Sequence, residues 1–347
     1  MAILTFYVNT ASTPGGDGTT NGTSGATRAF ASLSEAEAGL QRVTSDTINI
    51  FCDGGIDTAP VTVDGWTISA PGSLNILAAK PHGGRWNDNI YRLSVTDSAS
   101  TTKFASLDIK EDRVVVDGLQ IGISSTTSNS GGSPSCLMVF NCTVSEITVR
   151  NCFFRKTGGT WTTIRGVQLH TATVANAYLY NNLFAGTFSS SFVAATLTIS
   201  GGVYFSHNSL AGGNTTQDVL LSTGITEGKL YFSNNLLMST SENITVNPST
   251  CFNASSDYNV CSLNGTATHL VPGSHSKKSS PVNFADAASL DLRTSDITAQ
   301  VDNNLYAYAN CPVTTGVEGN VRPPTGLVFA GAWEQSSVNT LASLGQI

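Results

Sequence analysis

Five segments of the chain share one spacing: VVVDGLQI (114–121), ITVRNCFF (147–154), AYLYNNLF (177–184), VYFSHNSL (203–210) and LYFSNNLL (230–237). Each reads apolar, x, apolar, x, turn residue, x, x, apolar. The first apolar column is Val114, Ile147, Ala177, Val203 and Leu230. The second is Val116, Val149, Leu179, Phe205 and Phe232, and the third is Ile121, Phe154, Phe184, Leu210 and Leu237. Alternation before the turn residue predicts a strand with one buried face. The next apolar residue then comes three positions on instead of two, so the chain must bend there. The turn column (Gly118, Asn151, Asn181, His207, Asn234) holds residue types that tolerate left-handed backbone. Each is therefore a corner between two short strands, and stacked corners can also hydrogen-bond side chain to side chain. A weaker copy is expected near ASSDYNVC (254–261), and LNILAAKP (74–81) fits an earlier one. Corners at 118, 151, 181, 207 and 234 recur at a period of a solenoid coil, too short for a four-stranded propeller blade. The expected fold is all-β: a single-stranded right-handed parallel β-helix, with loops such as SSTTSNSGGSPS (124–135) inserted at corners.

Composition agrees. Hydrophobic residues make up 40% of the 347, enough for a continuous core, while charged residues are only 12%, about half the usual share. Ser, Thr, Asn and Gly must supply the polar surface. A formal charge of −7 and the lack of Lys/Arg runs argue against nucleic acid as a partner. No stretch approaches the ~18 apolar residues of a membrane span, so no membrane insertion is expected. MAILTFYVNT lacks the basic and apolar regions of a signal peptide. The seven cysteines (52, 136, 142, 152, 251, 261, 311) include no C-x-x-C pair. Small buried thiols are expected, with Cys142–Cys152 as the pairing alternative.

The two ends extend the pattern. FYVNTASTPGGDGTTNGTSGATRAFASLSEAEAGL (6–40) reads as a strand, a Gly/Asp-rich loop and a helix, and GVEGNVRPPTGLVFAGAWE (316–334) reads as a closing segment. With the coils between them, they resemble the pectate-lyase-like superfamily of parallel β-helix proteins, in particular its phage spike and decoration members. That superfamily includes lyases, hydrolases, esterases, spikes and adhesins, so the resemblance implies a fold and leaves activity open. An open solenoid needs covers at both ends. Ser32-Leu33-Ser34-Glu35 has capping-box spacing, and Leu33, Ala36, Leu40 and Val43 fall on one helical face, so a capping helix is expected over about 32–43. The expected organisation is an N-terminal strand, loop and capping helix (1–45), a β-helix body (46–265), an irregular C-terminal closing segment (266–334) and a tail (335–347) docked on a neighbour.

Catalytic signatures are weak. A glycosidase needs two carboxylates flanking the scissile bond, yet the outward positions beside the corners are Asp117, Arg150, Tyr180, Ser206 and Ser233. Asp53, Asp57 and Asp64, and Asp108, Glu111 and Asp112, read as turn residues and solvated edges. Arg150, Arg155, Lys156, Arg165 and His170 form the one basic neighbourhood a lyase could use. GGDGTTNG (15–22) lacks calcium-loop order, and His207 reads as a turn residue. No catalytic residue, metal site or cofactor is expected.

The outward position between the first two apolar columns holds Tyr178, Tyr204 and Tyr231 on successive coils, with Tyr180 beside them. With Arg150, these are the expected binding residues, for sugar rings or a protein partner. The alternative is a ladder that stiffens the sheet. The expected function is a non-enzymatic structural or adhesion protein of a phage or virus-like particle, a capsid or tail decoration or spike. It would sit on the virion surface, be released by lysis, and bind surface polysaccharide. Its partners would be other virion proteins or copies of itself in a homo-oligomer, a trimer by resemblance. The alternative is a tailspike-type polysaccharide lyase or glycoside hydrolase.

Overall fold

The computed structural model describes residues 1–97, 104–126, 133–159, 164–195, 197–211, 217–221, 226–238, 244–246, 249–262, 271–279, 282, 284–286, 289–293, 300–302, 315–318, 327–329 and 331–332. The strands stack into three parallel sheets, two of eight strands and one of seven, and successive coils contribute one strand to each. This is a single-stranded parallel β-helix. The sequence alignment is its register. Val114, Ile147, Ala177, Val203 and Leu230 pair in turn along the first sheet, as do Val116, Val149, Leu179, Phe205 and Phe232. Ile121, Phe154, Phe184, Leu210 and Leu237 pair along the second. The earlier copy is also in register, with Leu74 and Ile76 opposite Val114 and Val116.

These columns point inward and are buried. Among them Phe205 stacks on Phe192 (4.5 Å) and Phe232 (5.2 Å), so the core is a continuous pile of like side chains. Burying each such residue contributes roughly 1.5–3 kcal/mol. Every corner has a positive φ: 76° at Gly118, 53° at Asn151, 56° at Asn181, 55° at His207 and 54° at Asn234. Tyr258, in the weaker copy, joins them at 60°.

The side-chain ladder runs one residue past the corner. The Oδ1 atoms of Asn182, Asn208, Asn235 and Asn259 each accept the backbone N–H of the same position one coil earlier, at 2.9–3.0 Å. Their Nδ2 groups donate to the carbonyls of Val149, Leu179, Phe205 and Phe232, at 2.9–3.0 Å. All four asparagines are fully buried, and the ladder satisfies the backbone where the chain turns away from its strand. At the corners themselves, the link between Asn181 Nδ2 and Asn151 Oδ1 is a long 3.4 Å.

A third sheet, not marked by the repeat, closes each coil. Its central strands are Ala105–Ile109, Ser135–Phe140, Arg165–His170 and Ser190–Ala195. At the N-terminal end the helix Leu33–Leu40 packs on Val61–Val63, the first strand of this sheet. Ser32 caps it, its hydroxyl accepting the Glu35 N–H at 3.0 Å. Leu33, Ala36 and Leu40 face the core, but the helix ends at Leu40. Val43 instead starts a two-residue strand and is 80% exposed. An extended backbone after Gln41 takes it off the helical face.

The C-terminal region both ends the stack and lines its flank. Lys277 pairs with Val260 beyond the last coil. Leu292, Val317 and Ala332 pack on Phe153, Leu183, Ala185 and Ala211 of the second sheet's outer face, together with Trp86 of the loop after residue 80. Cys142 and Cys152 are free thiols, as are the other four described cysteines. Cys311 and the tail lie outside the described residues. No described helix is long and apolar enough to cross a membrane.

Candidate functional site

Strand alternation lines the outer face of the first sheet with columns of side chains, two of which carry the candidate residues; Asp53 and Glu146 face the same way in flanking positions of their strands. The middle column reads Thr5, Asn49, Asn75, Val115, Thr148, Tyr178, Tyr204, Tyr231. The column beside the corner reads Tyr7, Phe51, Leu77, Asp117, Arg150, Tyr180, Ser206, Ser233. The three tyrosines stand on successive strands as the alignment requires. Tyr178 and Tyr204 stack at 4.9 Å and 15°, Tyr204 and Tyr231 at 4.5 Å and 13°. Their faces are thus occupied by one another, and Tyr178 and Tyr204 are only 7% and 9% exposed. The rings lie close over Gly202, where a Cβ would fall 2.7 Å from Tyr231 and 3.1 Å from Tyr204. The ladder therefore stiffens the sheet, and to a ligand it can offer ring edges and hydroxyl groups.

Arg150 and Tyr180 adjoin the ladder and form a set with Asp117. Arg150 Nε donates to Asp117 Oδ2 at 2.7 Å, and its Nη1 donates to the Tyr180 hydroxyl at 3.0 Å. Asn151 Nδ2 donates to Asp117 Oδ1 at 2.8 Å. The Arg150 and Asp117 side chains remain 39% and 22% exposed. Burial alone would lower the Arg150 pKa, but the Tyr180 hydroxyl and the Asp117 carboxylate outweigh it and raise it. The guanidinium is a permanent cation whose charge is matched by its neighbour, so the row is close to neutral.

The other candidate side chains are dispersed. Arg150 lies on the first sheet, Arg155 and Lys156 on the second, Arg165 and His170 on the third. The basic neighbourhood of the sequence is therefore spread around one coil, and Arg155 lies over the Trp86 ring at 5.2 Å. The carboxylates hold backbone and turns. Asp57 accepts the Leu33 N–H at 2.8 Å and the Tyr91 hydroxyl at 3.0 Å. Asp53 pairs with Lys80 at 2.8 Å. Glu111 accepts the Trp66 N–H at 3.1 Å, and Asp112 accepts that of Ser145. Asp64 and Asp108 flank Lys110 at 3.8 and 3.9 Å. Asp17 accepts from the Thr19 N–H and hydroxyl within its own turn, and Asn21 reaches Asp53 at 3.0 Å. Among the described residues, no three His, Cys, Asp or Glu side chains converge to hold a metal ion.

One group escaped the sequence reading. His82 is 3% exposed, with Nε2 at 2.7 Å from the Asn151 carbonyl oxygen and Nδ1 accepting the Gly84 N–H at 3.2 Å. The proton therefore sits on Nε2 and is donated to the corner. Burial pushes its pKa down to about 4, against the opposing pull of that carbonyl. Its position in a loop, outside the repeat, left no pattern to find it by.

No family model matches the chain, and no curated protein matches it in sequence. Among solved structures, the chain is similar to the deglycosylated pectin methylesterase of Aspergillus niger. The identity is 12%, coverage is 78% of this chain and 88% of that one, and the TM-score is 0.34. The penultimately deglycosylated form of the same enzyme gives the same figures. A likeness of this size says nothing of chemistry.

Proposed function

We propose that the protein is a non-enzymatic structural and adhesion β-helix of a phage or virus-like particle, a decoration or spike that binds surface polysaccharide across the outer face of its first sheet. The observation that carries this reading is the internal closure of that face. Asp117 is the single carboxylate in the tyrosine and corner columns, and it is bonded to Arg150 and Asn151. Of the other carboxylates on that face, Asp53 is paired with Lys80 and Glu146 lies four residues from Arg150 along its strand. Glycoside hydrolysis needs a second carboxylate roughly 5–10 Å away to act as acid, base or nucleophile. The tyrosine ladder is stacked on itself, which suits a stiff, preorganised surface. Hydroxyl, amide and guanidinium groups on a near-neutral sheet match the hydrogen-bonding demand of a glycan. The low charge and Ser/Thr/Asn/Gly-rich surface suit a particle exterior, with copies of itself or other virion proteins as partners.

Glycan-array binding tests the reading. Wild type is expected to retain a polysaccharide, and Arg150→Ala to lose at least tenfold in affinity with little change in thermal midpoint. Absence of binding to any glycan, or binding indifferent to Arg150→Ala, contradicts it. Labelled antibody in negative stain is expected to find regular copies on particles; protein found only free in solution contradicts the particle assignment.

A further inference from the structure

A cavity of about 270 Å³ opens where the first sheet's outer face meets the layer covering the second sheet. Its floor is Phe51, Leu77 and Ala78, and its wall is Asp117 with the corner residues Gly118 and Asn151. Pro81, His82 and Val317 line the remaining side. Phe51, Leu77 and Asp117 are consecutive members of the outward column that continues through Arg150 to Tyr180. The cavity is thus the head of the row already described.

Its chemistry is specific. The floor offers an aromatic ring and aliphatic carbon. Both His82 nitrogens are engaged, so that side chain supplies shape without charge. Each Asp117 oxygen accepts one hydrogen bond, Oδ1 from Asn151 and Oδ2 from Arg150, and a carboxylate oxygen has room for a second. Two adjacent acceptors beside an apolar floor suit a pair of neighbouring hydroxyl groups on a ring with a C–H face. The volume lies below the usual range for extended ligands, which favours one ring over several. A ligand carboxylate would meet Asp117, and a ligand cation would compete with Arg150 for it.

We propose that this cavity binds a single neutral pyranose ring, the terminal residue of a glycan whose following residues run along Arg150 and Tyr180 toward the tyrosine ladder. The continuation along the row rests on the polysaccharide reading; occupation of the cavity does not. Neighbouring strands lie about 4.8 Å apart, so the path from Leu77 to Tyr180, three strands on, is roughly 14 Å, room for two or three rings; beyond it Ser206 and Ser233 are fully buried.

Saturation-transfer NMR on the full chain tests it, with the methyl α-D-pyranosides of glucose, galactose and mannose as probes and D-galacturonate as the charged counterpart. At least one neutral glycoside is expected to bind, and galacturonate at least tenfold more weakly. Leu77→Trp, which fills the cavity from an outward position, should weaken the neutral probe at least tenfold, and so should Asp117→Asn, which keeps the shape. Silence from all three neutral probes overturns the proposal. So does unchanged binding in a folded Leu77→Trp or, should that variant not fold, in Asp117→Asn. Glycoside binding without any polysaccharide on the array sinks the adhesion reading and upholds the cavity, whereas polysaccharide binding without glycoside binding sinks the cavity alone.

Discussion

Asn234 and Asn235 are neighbours, both fully buried, and they should respond to mutation in opposite ways. Asn235 Oδ1 accepts the Asn208 N–H at 3.0 Å, and its Nδ2 donates to the Phe205 carbonyl at 2.9 Å. Asn235→Ala deprives both backbone groups of that partner inside the core. Leaving a buried polar group unsatisfied costs roughly 1–3 kcal/mol, so two such groups give about 4 kcal/mol. Asn234 occupies the corner at φ 54°, and both polar atoms of its side chain are buried without a partner. Asn234→Gly removes no side-chain hydrogen bond and suits the left-handed backbone, although glycine costs the unfolded-state entropy of roughly 0.5–1 kcal/mol. Removing two unsatisfied polar atoms offsets that cost, so the variant should be no less stable than wild type. Urea unfolding of both variants gives the energies, read as relative midpoints because a solenoid need not unfold in two states. Hydrogen exchange should show faster exchange at the Asn208 amide in Asn235→Ala alone. Equal destabilisation by the two variants, or an Asn235→Ala change below about 1 kcal/mol, would refute the assignment of ladder and corner.

Replacing Val149 or Phe232 with Asp puts an unpaired charge into the inward columns and should cost several kcal/mol, abolishing the cooperative thermal transition; a variant that keeps it contradicts the register. Asp108 has its pKa raised by burial to about 6, so the native state favours its protonated form, and stability is lost as pH rises through the window from 3.8 to 6. Asp108→Asn should therefore stabilise by about 3 kcal/mol at pH 8 and by little at pH 4, as read from denaturation at both values. His82 works the other way: with its pKa pushed down to about 4, its contribution is complete above pH 6.5 and falls as pH drops toward 4, by about 3 kcal/mol in all. His82→Phe should flatten that part of the pH–stability curve, and an unchanged curve would contradict the buried neutral ring.

The first and second sheets were legible in the sequence because their inward columns keep fixed offsets from the corner. The third sheet was not. The loops joining it to the second sheet vary in length, so Leu137, Val167 and Phe192 pair with one another without a constant distance from Asn151 or Asn181. The ladder left a signal, an Asn after the corner in Asn182, Asn208, Asn235 and Asn259. That signal was obscured by the corner asparagines beside it, which answer to backbone angle and not to pairing. Stacking of the tyrosines followed from register, and their closure on one another followed from the 4.5–4.9 Å between rings. The cavity was illegible for a different reason: Leu77, Asp117, His82 and Val317 come from separate coils, a loop and the C-terminal region, and only folding brings them together.

Binding without turnover is the most direct point to test. The polysaccharide retained on the array should be incubated with the protein at equimolar concentration, and its chain length and new ends followed by size-exclusion chromatography and mass spectrometry. An unchanged polymer that co-elutes with the protein is the expected result. A shortened polymer carrying new reducing or unsaturated ends would contradict it and make this face an active site.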